Sequence, residues 1–216
     1  MKHTGYGMYI TEYVNNKQPG TPIYTDNTVK EVASHFGVTH KEAKKVVNVN
    51  LKRLTDKKKL ERYQRGVYFI PKITAFGSSL LNPMQVFLET YIWNSYGEIG
   101  YETGPSLMNA LGLTTQVPRY KYFTSNRCHK YGDNIDEKLK TVLRKPKTLI
   151  NKENKPYLQL LDILENKDQI SFDAEDARTI INNFIERNLL DFKKLVGYAK
   201  NFYSKEVVWQ LVEIAA

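Results

Sequence analysis

Along the first seventy residues apolar positions recur at spacings of three and four, and short polar clusters interrupt them where helices start and stop. Met8, Ile10, Tyr13 and Val14 make one apolar side of a helix over about Tyr6 to Asn16, which Pro19, Gly20 and Pro22 end. Val29, Val32, Ala33 and Phe36 predict a second, short helix. The good N-cap residues Asp26, Asn27 and Thr28 precede it, and Gly37 follows where a left-handed C′ residue belongs. Thr39 and Glu42 then form a T-x-x-E capping box, so a third helix starts after a very tight turn. Its Ala43, Val46, Val47, Leu51 and Leu54 face inward, and Lys41, Lys45, Asn48 and Lys52 recur on the other side. From Leu60 to Ile70, two β-prone arms flank Gln64-Arg65-Gly66, whose glycine supplies the positive φ of a hairpin turn.

Further along, Asn82-Pro83 reads as N-cap plus N1 proline, and Met84, Phe87, Leu88, Tyr91 and Ile92 predict a helix from about Pro83 to Ser95. Gly100 to Gly104 is a short strand or turn; Pro105 opens a helix through Leu111, with Gly112 at its C′ position. A polar connection leads into a strand over Tyr120 to Ser125. Extended pieces are expected around Lys130 to Tyr131 and over Thr141 to Leu143, the second alternatively continuing a helix begun near Asp136. Beyond Pro156 the chain is helical: Leu158, Leu161, Ile163 and Leu164 belong to one helix. Asp173 is the N-cap of a helix with Ala177, Ile180, Ile181, Phe184 and Ile185 at helical period, and Gly197 breaks the tail before Glu206 to Ile214.

These elements predict an α+β chain. An N-terminal winged helix-turn-helix over residues 1–75 precedes a mixed α/β domain with a helical tail over 76–216, joined through Thr74 to Pro83. Charge sharpens the picture. Residues 1–72 hold 14 Lys and Arg against 6 Asp and Glu, a balance of +8, and residues 73–216 hold 18 against 17, a balance of +1. Nearly all of the net +9 thus lies with the groove-fitting shape, which points to double-stranded DNA as the partner. The proposed recognition helix offers Lys41, Lys44, Lys45, Asn48, Lys52 and Arg53 to the major groove, and Arg62, Arg65 and Lys72 on or beside the hairpin neutralise flanking phosphates.

Candidate chemistry changes little. One cysteine, Cys128, excludes an internal disulfide, and His3, His35, His40 and His129 show no metal-ligand or triad spacing, so neither metal nor cofactor is expected. Phe76-Gly77-Ser78-Ser79 has the Gly-Ser opening of nucleotidyltransferases, but the next acid is Glu89 and no D-x-D follows. Phosphate-loop, nucleophile-elbow and dinucleotide fingerprints are absent, so no enzyme is predicted. The apolar runs are too short to span a bilayer, and the N-terminus lacks a signal-peptide apolar region; a cytoplasmic protein is expected.

Leu51-Lys-Arg-Leu54, the lysines before Leu60, Arg65-Gly-Val-Tyr68 and Leu111-Gly-Leu-Thr-Thr-Gln-Val-Pro118 together resemble the AbiEi family of antitoxins over roughly Tyr24 to Ser125. The resemblance implies a type IV toxin-antitoxin system involved in phage defence, with an N-terminal domain that represses its own operon and a C-terminal domain that carries the antitoxic activity. It also implies a nucleotidyltransferase-like toxin as functional partner, opposed without a stable complex. The alternative is a stand-alone winged-helix transcriptional regulator whose C-terminal domain senses a ligand or partner.

Overall fold

The computed structural model describes residues 3–74, 77–78, 80–94, 97–166 and 177–215. The architecture is mixed α+β, with several small sheets, and the chain divides into two units, residues 1–86 and 87–216. No helix among the described residues is long and apolar enough to cross a membrane.

In the first unit α1 (His3–Asn15), β1 (Ile23–Tyr24), α2 (Thr25–Phe36) and α3 (His40–Asp56) precede the hairpin β2 (Glu61–Gln64) and β3 (Val67–Phe69). The three strands form an antiparallel sheet in the order β1-β3-β2. Tyr6, Ile10 and Val14, spaced by four, bury one side of α1. Met8, expected on that apolar side, lies on the opposite side of the helix and is 77% exposed. Val29 and Val32 of α2 and Ala43, Val47, Leu51 and Leu54 of α3 complete this core. Gly37 adopts φ 60°, and the Thr39–Glu42 capping box forms in full.

The start of α2 differs from expectation. Its N-cap is Tyr24, which offers no side-chain cap. Instead the Thr25 N–H donates to the Gly66 carbonyl of the hairpin turn at 2.9 Å. Thr28 donates its hydroxyl back to the Tyr24 carbonyl at 3.0 Å. A tertiary contact thus supplies the acceptor that Asp26-Asn27-Thr28 were expected to provide. Strand alternation in β3 uses both faces: Val67 and Phe69 pack with Leu81 and Val86, and Tyr68 and Ile70 pack on the helical core. Beyond the sheet, β4 (Ile73–Thr74) pairs with β5 (Gly77–Ser78). Phe76 and Ser79 of the Gly-Ser segment, and part of the expected Thr74 to Pro83 junction, lie outside the described residues.

α4 (Pro83–Tyr91) opens as expected, with the Asn82 side chain accepting from the Met84 and Gln85 amides at 3.0 and 3.3 Å. It ends at Tyr91 rather than Ser95, because neighbouring backbone and side chains take its last carbonyls. Ser125 Oγ donates to Tyr91 O, and the Ile99 and Gly100 amides donate to Ile92 O. Trp93 and Asn94, expected in the helix, form β6 (Trp93–Asn94), paired with β7 (Gly97–Glu98).

The second unit is built on a four-stranded sheet in the order β10-β11-β9-β8. Its strands are β8 (Gly100–Thr103), β9 (Lys121–Ser125), β10 (Asn134–Asp136) and β11 (Thr141–Arg144), with β11 and β9 parallel. The extended piece expected at Lys130 to Tyr131 falls instead at Asn134–Asp136, and Thr141 is a strand residue, not the end of a helix. α5 (Gly104–Ala110) follows β8, and Gly112 just past its C-cap Leu111 adopts φ 77°. α6 (Lys155–Glu165), α7 (Ala177–Arg187), α8 (Phe192–Phe202) and α9 (Lys205–Ala215) complete the unit. Their core includes Leu160, Leu161, Leu164, Ile181, Leu195, Ala199, Val207 and Leu211. Gly197, expected to break the tail, lies inside α8, which ends at Phe202. The expected N-cap Asp173 lies outside the described residues.

Sheet and helices of this unit meet at Asp162 of α6. Its carboxylate is buried and accepts three hydroxyl hydrogen bonds, from Tyr101 at 3.0 Å, Thr103 at 2.8 Å and Tyr203 at 2.7 Å. Tyr101 and Thr103 come from β8, and Tyr203 follows α8. Burial pushes the Asp162 carboxyl above its ordinary range, and the three donors oppose that shift. Burial and the neighbouring carboxylate push the Tyr101 and Tyr203 hydroxyls up as well, which keeps both as donors.

Two glycines of this unit should respond to substitution in opposite directions. A Cβ at Gly100 would lie 2.4 Å from Tyr91 O and 2.7 Å from Thr124 O, both backbone atoms. Gly100→Ala should therefore lose about 1–3 kcal/mol in urea unfolding. A Cβ at Gly197 meets nothing within 4 Å, so Gly197→Ala should gain about 1 kcal/mol in the same measurement. The buried carboxylate should respond to pH. Because the folded-state pKa of Asp162 is raised, its contribution is fully present below the unfolded-state value and is lost as pH rises through the folded-state value. The melting-temperature difference between the native protein and Asp162→Asn should favour the native protein most below about pH 4, the unfolded-state range of an Asp carboxyl, and shrink as pH rises from there. Growth of that difference with pH would show that the three hydroxyls outweigh burial.

Candidate nucleic-acid interface

α3 presents its two sides for different reasons. The stripe Ala43, Val47, Leu51 and Leu54 is buried, and each large apolar side chain contributes about 1.5–3 kcal/mol by leaving water. That burial fixes the rotation of the helix about its axis. Lys41, Lys45, Asn48 and Lys52, on the opposite side, are consequently all exposed, and so are the flanking Lys44 and Arg53. Lys41 stands three residues before Lys44 and four before Lys45, so the helix carries like charges at neighbouring positions. Each such pair costs about 0.2–0.5 kcal/mol, a small penalty beside the buried stripe and one that an anionic partner would relieve.

The hairpin carries a second set of cations. The turn Arg65-Gly66 joins β2 to β3, with Gly66 at φ 80°. Arg62, Arg65 and Lys72 are exposed. Gly66 O holds the Thr25 amide, and β1 pairs with β3 through Ile23↔Tyr68 and Tyr24↔Val67. The turn is thereby tied to the beginning of α2. Among the described residues, none of the eight cations Lys41, Lys44, Lys45, Lys52, Arg53, Arg62, Arg65 and Lys72 has a carboxylate within ion-pair distance.

Two features of this surface go beyond the sequence-based expectation. Val49 is 49% exposed on the cationic side of α3, four residues after Lys45 and three before Lys52; the helical phase of the sequence already places it there. Lys57, Lys58 and Lys59 form the exposed turn that ends α3, with Lys58 in the left-handed region at φ 57°. Residues 40–65 alone hold ten Lys and Arg against three Asp and Glu. The balance of +8 falls entirely within the unit of residues 1–86, because residues 73–86 carry no charged side chain.

The second unit places its distinctive sequence differently. In Leu111 to Pro118, Leu113 and Thr114 are buried and the Asn109 amide donates to Thr114 O at 3.2 Å. These two residues close α5 against the core, and Gly112, Thr115, Gln116 and Val117 are exposed, Val117 at 84%. Cys128 is a buried free thiol. Among the described residues no group of three or more His, Cys, Asp or Glu is arranged to hold a metal ion.

Fold and surface together define a class: a two-unit α+β protein whose first unit carries a cationic helix face and an arginine hairpin. The chain belongs to DUF6088, a family of unknown function whose model matches residues 10–182. That match spans both units and ends within α7. No curated protein matches the chain.

If Arg65 contacts phosphate, Arg65→Ala should weaken binding to all duplex sequences alike. It should also flatten the slope of log affinity against log salt by about 0.9 for each phosphate no longer neutralised. Fluorescence anisotropy across a salt series reads both effects.

Proposed function

We propose that this protein is a DNA-binding antitoxin of a type IV, AbiE-like toxin-antitoxin system that represses its own operon. The observation that carries the DNA part is the exposed row Lys41, Lys45, Asn48 and Lys52 opposite the buried stripe of α3. Supporting it is the order helix, strand, helix, helix, hairpin, read as a winged helix-turn-helix. In this reading α3 enters the major groove and the β2–β3 hairpin lies along the adjacent backbone. The lysines act mainly as phosphate partners, Asn48 offers a bidentate contact to adenine, and Val49 offers an apolar contact to a thymine methyl. No catalytic step belongs to the proposal, and cytoplasmic DNA is its site of action.

The antitoxin part rests on the AbiEi-like residues in both units and on the division of charge between them. A near-neutral second unit suits a role other than holding duplex DNA. Its functional partner is a nucleotidyltransferase-like toxin, countered without a stable complex. The second reading, a stand-alone regulator with a sensing C-terminal unit, is favoured by one observation: an open aromatic groove beside α8.

Lys45→Ala combined with Lys52→Ala should lower affinity for the operon's upstream region at least tenfold; unchanged affinity would remove α3 as the contact face. Cells induced for the neighbouring gene's product should stop growing and be rescued by co-expression of this protein. Toxicity without rescue, or no toxicity, would leave the regulator reading.

A further inference from the structure

A groove of about 330 Å³ beside α8 is lined by Glu153, Tyr157, Lys194, Gly197, Tyr198, Asn201 and Phe202. The residues from α8 lie on one helix face, at spacings of three and four. Three rings form a continuous wall, with centroids 5.5 Å apart for Tyr157 and Tyr198 and 6.3 Å apart for Tyr198 and Phe202. Tyr157 is held in place because its hydroxyl accepts the Asp191 amide at 3.0 Å.

Gly197 is the unusual member. It sits in the middle of a regular helix, where glycine costs stability, and neither a positive φ nor a close neighbour requires it. An added Cβ would meet nothing within 4 Å. The helix backbone is therefore bare toward the groove, which leaves room for a molecule to approach it closely. The charged side chains are equally uncommitted: among the described residues neither the Lys194 ammonium nor the Glu153 carboxylate has an ion-pair partner. The two do not pair with each other.

We propose that this groove binds a small zwitterion bearing an aromatic ring, of the size of an aromatic amino acid. The ring packs on the tyrosine and phenylalanine wall, where edge and offset contacts between aromatic groups are favourable. Lys194 takes the ligand's carboxylate and Glu153 its ammonium. A simple anion would meet Glu153, a simple cation would meet Lys194, and an uncharged ring would engage neither, so the lining selects for both charges at once. The volume falls at the lower end of small-molecule sites.

Titration calorimetry of the full chain with L-tryptophan, indole and L-alanine tests this site. Saturable binding of L-tryptophan is expected, at least tenfold tighter than indole, with no heat from L-alanine. Lys194→Met and Glu153→Gln should each weaken L-tryptophan about tenfold, as removal of one charge-assisted hydrogen bond does. Gly197→Leu should abolish binding without lowering the melting temperature, and the smaller Gly197→Ala should weaken it. No heat from L-tryptophan, indole binding as tight as L-tryptophan, or full affinity in Gly197→Leu would each overturn the proposal. The inference concerns residues 87–216 and does not rest on the DNA reading: anisotropy of the same variants with operon DNA should be unchanged whichever way the titration falls.

Discussion

Asp162 accepts three hydroxyl hydrogen bonds in the interior of residues 87–216, and among the described residues no Lys or Arg lies within ion-pair distance of it. Burying a carboxylate costs several kcal/mol unless its oxygens are satisfied, so the elements that bring those hydroxyls must arrive together. β8 supplies two donors, α6 carries the acceptor, and the residue following α8 supplies the third. The sheet, the central helix and the helical tail are therefore held by one small network that tolerates no partial assembly. The leucines of α6 stabilise more by area, but their attraction is not directional and does not specify which strand lies against which helix.

The first unit follows a different logic, because its exposed cations are positioned by buried residues that never reach the surface. Ala43, Val47, Leu51 and Leu54 turn α3 inward, and the cationic row is what remains outside. The β3 strand is buried on both faces, so the hairpin that carries Arg62 and Arg65 cannot rotate independently of the helical core. Positive charge is thus presented from a rigid framework. The near-neutral second unit offers a contrasting surface, in which aromatic rings and two charges of opposite sign line a groove.

Helical period and capping chemistry made most of the helices legible. The capping box of α3, the left-handed Gly37 and Gly112, the Asn82 cap and the apolar stripe of α6 are local features, decided by residues within one or two turns of each other. The cationic face was legible for the same reason, since residues spaced by three and four share a side whatever surrounds the helix. Expectation and structure part where distant groups intervene. α4 stops early because Ser125 and the amides of Ile99 and Gly100 take its last carbonyls. The start of α2 is set by Gly66 O, on the far side of α3 in the chain. Gly197 stays helical because its neighbours in α8 bury Leu195 and Ala199, which outweighs its own poor propensity.

By itself, then, the sequence determined the helical content, the hairpin and the concentration of positive charge in the first unit, because each depends on composition or on neighbours along the chain. Only the tertiary structure decided the parallel pairing of β9 with β11, the three-hydroxyl cradle around Asp162 and the aromatic groove beside α8. These join residues far apart in the chain, and no periodicity in a single sequence encodes which distant side chains will share one buried site.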